Sequence, residues 1–214
     1  MVSIPLLEFK DIAFERDDYP LFGGVSASLS PGDIVQVSGP NGCGKTTLLH
    51  ILATLKAPSD GSILWRGNDI ASNKTRYLTD MAFIGHQAGL KLVLTARENL
   101  IWYCQLHDMS ECIDSIDAAL NIMGLGHCRH IPCGALSAGQ LRRVALAILH
   151  LRSVTLWLLD EPLTALDGAG VGELELLFKS HLEHGGMIIF SSHQPLSVAG
   201  VSNLLLGEHL ASVH

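Results

Sequence analysis

Gly39-Pro40-Asn41-Gly42-Cys43-Gly44-Lys45-Thr46, followed by Thr47, decides how this chain folds. Its glycines let backbone N–H groups curl around phosphate oxygens. Lys45 is spaced to reach the β and γ phosphates of a nucleotide, and Thr46 offers a hydroxyl to Mg²⁺. Such a loop needs a strand before it and a helix after it, and the sequence supplies both. Asp33 to Ser38 reads as a buried strand that enters the loop. Leu48, Ile51, Leu52 and Leu55 then recur at helical spacing, with Pro58 beyond the helix end. The helix N-terminus points its positive end at the same phosphates. A merely structural glycine turn is the weaker reading, because the flanking elements are those that phosphate binding requires.

Outward from this loop the pattern is a run of strands and helices. Leu6 to Phe14 and Gly24 to Leu29 read as short alternating strands. Ser62 to Trp65 looks like a strand entering a turn at Gly67-Asn68, and Met81 to Ile84 like a short core strand. From about Gly89 to His150 helical patterns dominate, including Ala96 to Leu106 and Ile113 to Met123. Strand Thr155 to Leu159, a helix around Leu174 to Leu182, strand Met187 to Ser191 and a last strand near Leu204 to Leu206 follow. Alternation of this kind predicts an α/β fold with a mainly parallel sheet, carrying a helical insertion between residues of about 89 and 150.

Two further stretches carry chemistry. Leu156 to Leu159 is an apolar strand ending in Asp160 and Glu161. Asp160 at a strand end can enter a Mg²⁺ shell. Glu161 beside it is a candidate base for the attacking water. Farther upstream, Leu136-Ser137-Ala138-Gly139-Gln140 forms a second glycine loop, about 90 residues beyond Lys45.

Composition narrows the class. The 214 residues suit one α/β domain with a modest insertion. Mean hydropathy is +0.31, yet no apolar run reaches the roughly 18 residues that span a bilayer. The chain is therefore expected to stay outside the bilayer while presenting apolar surface to something within it. Met1 to Pro5 lacks the basic and apolar segments of an export signal, so a cytoplasmic location is expected. Five cysteines without a framework spacing fit reduced thiols. A net charge of −7 and the lack of a basic run argue against a nucleic-acid partner.

Together these residues resemble the ABC-type ATPases, the nucleotide-binding subunits of ATP-binding cassette systems, over nearly the whole chain. Leu136 to Gln140 is similar to the family signature LSGGQ, with Ala138 in place of one glycine. The resemblance implies one ABC ATP-binding domain over residues 1–214, with an N-terminal antiparallel β portion and the helical subdomain of about 89–150 inserted in a P-loop core. It also implies that Ser137, Gly139 and Gln140 cap the γ-phosphate held by a second copy, in a head-to-tail homodimer. The helix beginning there, with Arg142 and Arg143, would turn a positive end to that phosphate. Gln87 resembles the glutamine that links core and insertion and senses Mg²⁺ and water. His193 resembles the switch histidine that orients Glu161. Asp167 resembles the acidic loop that crosses the dimer interface. The residue that stacks on adenine is open among Arg16, Phe14 and Tyr19.

Within that family the chain is most similar to the ATP-binding subunits of cytochrome c maturation, the haem exporter ATPases. Gly85-His86-Gln87, Ala138, Trp157 and His193-Gln194-Pro195-Leu196 carry this likeness, and the short length fits it. It implies ATP and Mg²⁺ as cofactors. The implied partners are an integral membrane permease of CcmB-like type and haem-handling membrane proteins. The implied location is peripheral, at the cytoplasmic face of the inner membrane. Alternatives are an ATPase for another small substrate and a non-transport ABC ATPase. A DNA-maintenance ATPase would need long coiled-coil arms between Lys45 and Ser137, for which there is no room. A non-catalytic module would not need Lys45, Asp160, Glu161 and His193 intact.

One cluster competes for attention. His127, Cys128, His130 and Cys133 place four possible metal ligands in seven residues. No second ligand couple accompanies them, so the expectation is an exposed reduced loop rather than a zinc or haem site.

Overall fold

The structure, a computed structural model, describes residues 5–109 and 113–207. The chain divides into two units. Among the described residues, one comprises 5–83, 154–161 and 177–207; the other comprises 84–109, 113–153 and 162–176.

The first unit contains the strands that prepare the phosphate loop. β1 (Leu7–Arg16) and β2 (Tyr19–Leu29) pair antiparallel, with Arg16 opposite Tyr19. Only Asp17 and Asp18 lie between them, at φ of 53° and 62°. Two left-handed residues make the tight turn whose twist matches a hairpin. Both strands therefore run farther toward the turn than hydrophobic alternation alone predicts. β4 (Asp60–Trp65) pairs with β1, and β5 (Asn68–Asp69) with β4, completing a sheet ordered β2-β1-β4-β5.

The second sheet comprises β3 (Ile34–Ser38), β6 (Met81–Ile84), β7 (Leu156–Asp160), β8 (Met187–Ser191) and β9 (Val201–Leu205). Its strand order is β6-β7-β8-β3-β9. β3 lies parallel to β8 and β9, and β7 parallel to β8. Every residue of β7 and β8 is buried, the apolar runs as a parallel sheet requires and the polar ends Asp160 and Ser191 with them. An α/β architecture with an antiparallel N-terminal portion is thus what the strands form.

α1 (Lys45–Leu52) buries Leu48, Leu49, Ile51 and Leu52 in a core shared with Val35, Val37, Leu156, Leu158 and Ile189. Leu55 departs from the expected helical face. The helix stops at Leu52, Thr54 adopts φ of 58°, and Leu55 is 61% exposed at the rim of a cavity of about 350 Å³. A short helix that the pattern did not suggest, α2 (Lys74–Thr79), seats Tyr77 in the same core. The Tyr77 hydroxyl donates to the Leu52 carbonyl at 2.7 Å.

The second unit is helical. α3 (Ala96–Leu106) begins at Thr95, whose hydroxyl accepts from the Glu98 N–H while the Glu98 carboxylate accepts from the Thr95 N–H. This reciprocal cap fixes the helix start where the sequence places it. α4 (Ile113–Ile122) and α5 (Ala138–Ala147) complete the bundle, with Leu100, Ile116, Leu120, Val144 and Leu146 buried. α6 (Gly168–Glu183) starts in this unit and ends in the first.

Candidate nucleotide site

β3 delivers the chain to Gly39, and the phosphate loop follows. Gly39, Gly42 and Gly44 take φ of 143°, 81° and 103°. Side chains rarely adopt these angles, and space forbids them at two of the three. A Cβ on Gly39 would lie 2.4 Å from the Leu206 carbonyl oxygen, and one on Gly44 2.6 Å from the Phe22 ring. Gly44 is the cap of α1 and offers no capping side chain, so the first N–H groups of the helix stay available to an anion. Lys45 is buried, with Nζ donating to the carbonyls of Gly39 at 2.9 Å and Pro40 at 3.2 Å.

The ends of β3, β7 and β8 converge on this loop. The Thr46 hydroxyl donates to Asp160 Oδ2 at 2.9 Å. Asp160 is 1% exposed, so its charge is held by specific partners rather than by water. Thr46 and Asp160 thus bring two hard oxygen ligands together, a donor set that fits Mg²⁺. Glu161 follows at φ of 51°, and its Oε1 lies 3.6 Å from His193 Nε2. The turn bearing His193 is pinned on both sides. Gln36 Nε2 donates to the Ser192 carbonyl at 3.0 Å, and the Ser192 hydroxyl accepts from the Gln194 N–H at 2.9 Å. A further group, Ser191, lies between Asp160 and Glu161 (2.7 Å and 2.9 Å). In the sequence alone a serine at a strand end is unremarkable until the neighbouring strand is known.

Among the adenine candidates, the structure separates Phe14 from the others. Phe14 packs against the core beside Phe22, with Lys56 Nζ 5.2 Å above its ring. Tyr19 is 76% exposed and faces Arg16 across the hairpin.

The second glycine loop lies in the helical unit. Ser137 caps α5 by a reciprocal pair. Its hydroxyl accepts from the Gln140 N–H at 3.2 Å, and Gln140 Oε1 accepts from the Ser137 N–H at 2.9 Å. Ala138 is exposed, whereas a Cβ on Gly139 would meet the Ala165 carbonyl oxygen at 2.6 Å. Alanine therefore fits the first position and glycine alone fits the second. Arg142 and Arg143, in the helix that this cap begins, are both engaged within the helical unit. Arg142 is buried and donates to the carbonyls of Gly85 at 2.8 Å and Pro162 at 3.3 Å. Arg143 pairs with Asp167 and Glu173. The Gly170 N–H and the Arg143 guanidinium hold the Asp167 carboxyl below the usual carboxylate range. Gln87 is exposed, three residues beyond β6.

The His127–Cys133 loop is corrected by its burial. Cys128 and Cys133 are buried and their thiols are pushed up by desolvation, while His127 and His130 are exposed. Asn99 Nδ2 donates to Cys133 Sγ at 3.3 Å, and the Cys128 thiol donates to the Leu125 carbonyl at 3.4 Å. The four candidate ligands face different environments, and no metal-binding cluster occurs among the described residues.

The phosphate loop, the acidic strand end and the glycine-capped helix have a known counterpart. Residues 22–164 match the family described as ABC transporter. The chain belongs to this family. It is 46% identical over 208 residues to the cytochrome c biogenesis ATP-binding export protein CcmA of Pseudomonas fluorescens (strain Pf0-1), covering 96% of this chain and 98% of that one. The protein of the same description from Escherichia coli O157:H7 is 45% identical over 194 residues, 91% of this chain and 92% of the relative. Among solved structures, an ABC transporter ATP-binding protein from Pyrococcus furiosus aligns with a TM-score of 0.79 at 27% identity, over 92% of this chain and 96% of that one. As an ABC ATPase, the chain binds ATP and hydrolyses it. No described helix is long and apolar enough to cross a membrane.

Proposed function

We propose that this ABC ATPase is the ATP-hydrolysing subunit of a haem exporter system for cytochrome c maturation, acting as a single domain over residues 1–214. The observation that carries the reading is identity of 43–46% to CcmA proteins over nearly the full length of both chains. The site supports the chemistry. Gly39 to Thr47 hold the ATP phosphates, and Thr46 and Asp160 would hold Mg²⁺, which when bound would offset phosphate charge. Glu161, oriented by His193, accepts the proton of the attacking water. Tyr19 and Arg16 are the exposed pair available to adenine.

Two copies close head to tail, so that Ser137, Gly139 and Gln140 of one face the γ-phosphate held by the other. The exposed apolar tip at Leu92 and Val93, five and six residues beyond Gln87, supports docking of the helical unit on a CcmB-like permease. The chain is then peripheral, at the cytoplasmic face of the inner membrane, and works with haem-handling membrane proteins. The test is Lys45→Ala in cells, with a haem stain for c-type cytochromes beside b-type spectra. Selective loss of the c-type is expected. Normal c-type cytochromes in cells without a second copy of this ATPase overturn the assignment to cytochrome c maturation and leave the ATPase intact.

A further inference from the structure

Ser191 ends β8, opposite Asp160 at the end of β7. It is 0% exposed. Its hydroxyl donates its one proton to Asp160 Oδ1 at 2.7 Å and accepts the Glu161 N–H at 2.9 Å. With Oδ1 taken, the Asp160 carboxylate is held so that Oδ2 meets the Thr46 hydroxyl at 2.9 Å. The same oxygen anchors the peptide of Glu161, which sits in the left-handed region at φ of 51°. That region is strained for an ordinary side chain, so the peptide needs a partner to stay there. Two residues on, His193 Nε2 is 3.6 Å from Glu161 Oε1.

We infer that Ser191 is a positioning residue that sets the metal-shell face of Asp160 and the backbone of Glu161 through one hydroxyl. The inference rests on the ATPase roles proposed for those two acids. A serine that only filled space would tolerate any side chain of similar volume. A positioning serine needs a group that both donates and accepts. Threonine keeps that hydroxyl; valine keeps the shape of threonine without it.

The experiment compares wild type, Ser191→Thr, Ser191→Val and Lys45→Ala, each purified with the membrane subunit. It reads kcat, the Mg²⁺ concentration for half-maximal turnover, and ATP binding without Mg²⁺. Ser191→Val should lower kcat about 10- to 100-fold, as expected for a lost hydrogen bond to a charged group, and raise the Mg²⁺ requirement. Metal-free ATP binding should be unchanged. Ser191→Thr should restore both kcat and the Mg²⁺ requirement. Equal kcat and Mg²⁺ dependence in the two variants overturns the inference. Absence of Lys45-dependent hydrolysis in wild type overturns the ATPase roles instead. Should the valine variant not fold, hydrogen exchange of wild type decides. The Glu161 amide should be strongly protected, and exchange as fast as an exposed loop amide overturns the inference.

Discussion

Glu161 combines a left-handed backbone with a carboxylate beside His193, two features that the sequence presents as an ordinary strand end. Replacing its charge while keeping its shape isolates the chemical role. Glu161→Gln should bind ATP yet turn over about 10²- to 10⁴-fold more slowly, the usual loss for a positioned general base. It also removes one negative charge beside the γ-phosphate, so the closed dimer should persist. Size-exclusion chromatography with ATP should show that dimer. Normal turnover without an ATP-dependent dimer would exclude Glu161 as the base.

At the scale of elements, α5 presents the signature loop through its own cap. Ser137 and Gln140 each accept the other's backbone N–H, so Ala138 and Gly139 supply the N–H groups still open at the helix start. Ser137→Arg should leave ATP binding to one subunit intact and block closure. Mixed with Lys45→Ala, it gives dimers in which one composite site carries both lesions and the other neither. Partial activity should return in the mixture. A mixture as inactive as either variant alone would mean that the loop acts on the phosphate of its own subunit.

Elements with their own punctuation were legible. α3 has a capping box and starts at Ala96, as its sequence predicts; β8 is an apolar run closed by Ser191 and has the bounds expected. Helix ends set by tertiary packing were not. Leu55 has the right spacing for α1, but the chain turns at Thr54 before reaching it. The phosphate loop and the acidic strand end announce themselves by local spacing. Ser191 does not, because its partners lie about 30 residues away and only the parallel register of β7 and β8 brings them together. The buried cysteines of the His127–Cys133 loop were hidden likewise, since ligand-rich spacing carries no information on which side chains turn inward.

For the molecule as a whole, acid sensitivity should trace in part to one stacked pair. The His181 ring lies on Trp157, with centroids 3.6 Å apart and planes 4° from parallel. Burial there lowers the His181 pKa to about 4, against opposing effects from the backbone of Met187 and Thr155, with nearby His184 lowering it further. The folded chain therefore keeps His181 neutral through a range where the unfolded chain protonates it. Stability should fall as pH drops from about 6.5 to about 4, by at most about 1.4 kcal/mol per pH unit from this group. His181→Phe keeps a ring on Trp157 and cannot titrate, so its urea midpoints should fall less steeply in that window. Parallel midpoint curves for the two proteins would remove His181 as a source of the acid sensitivity.

The strand order β6-β7-β8-β3-β9 also has a consequence in time. The strand that carries the phosphate loop is made early, but both of its neighbours belong to the last part of the chain: Ile34 pairs with Ile188 and Val201. At about 5–20 residues per second, translation leaves Ile34 without either partner for roughly 8 to 30 seconds. A ribosome stalled before Met187 would hold a nucleotide loop with no sheet behind it and a bare apolar strand edge. During synthesis this ATPase is thus a late-closing fold, whose most recognisable motif is among the last parts to become functional.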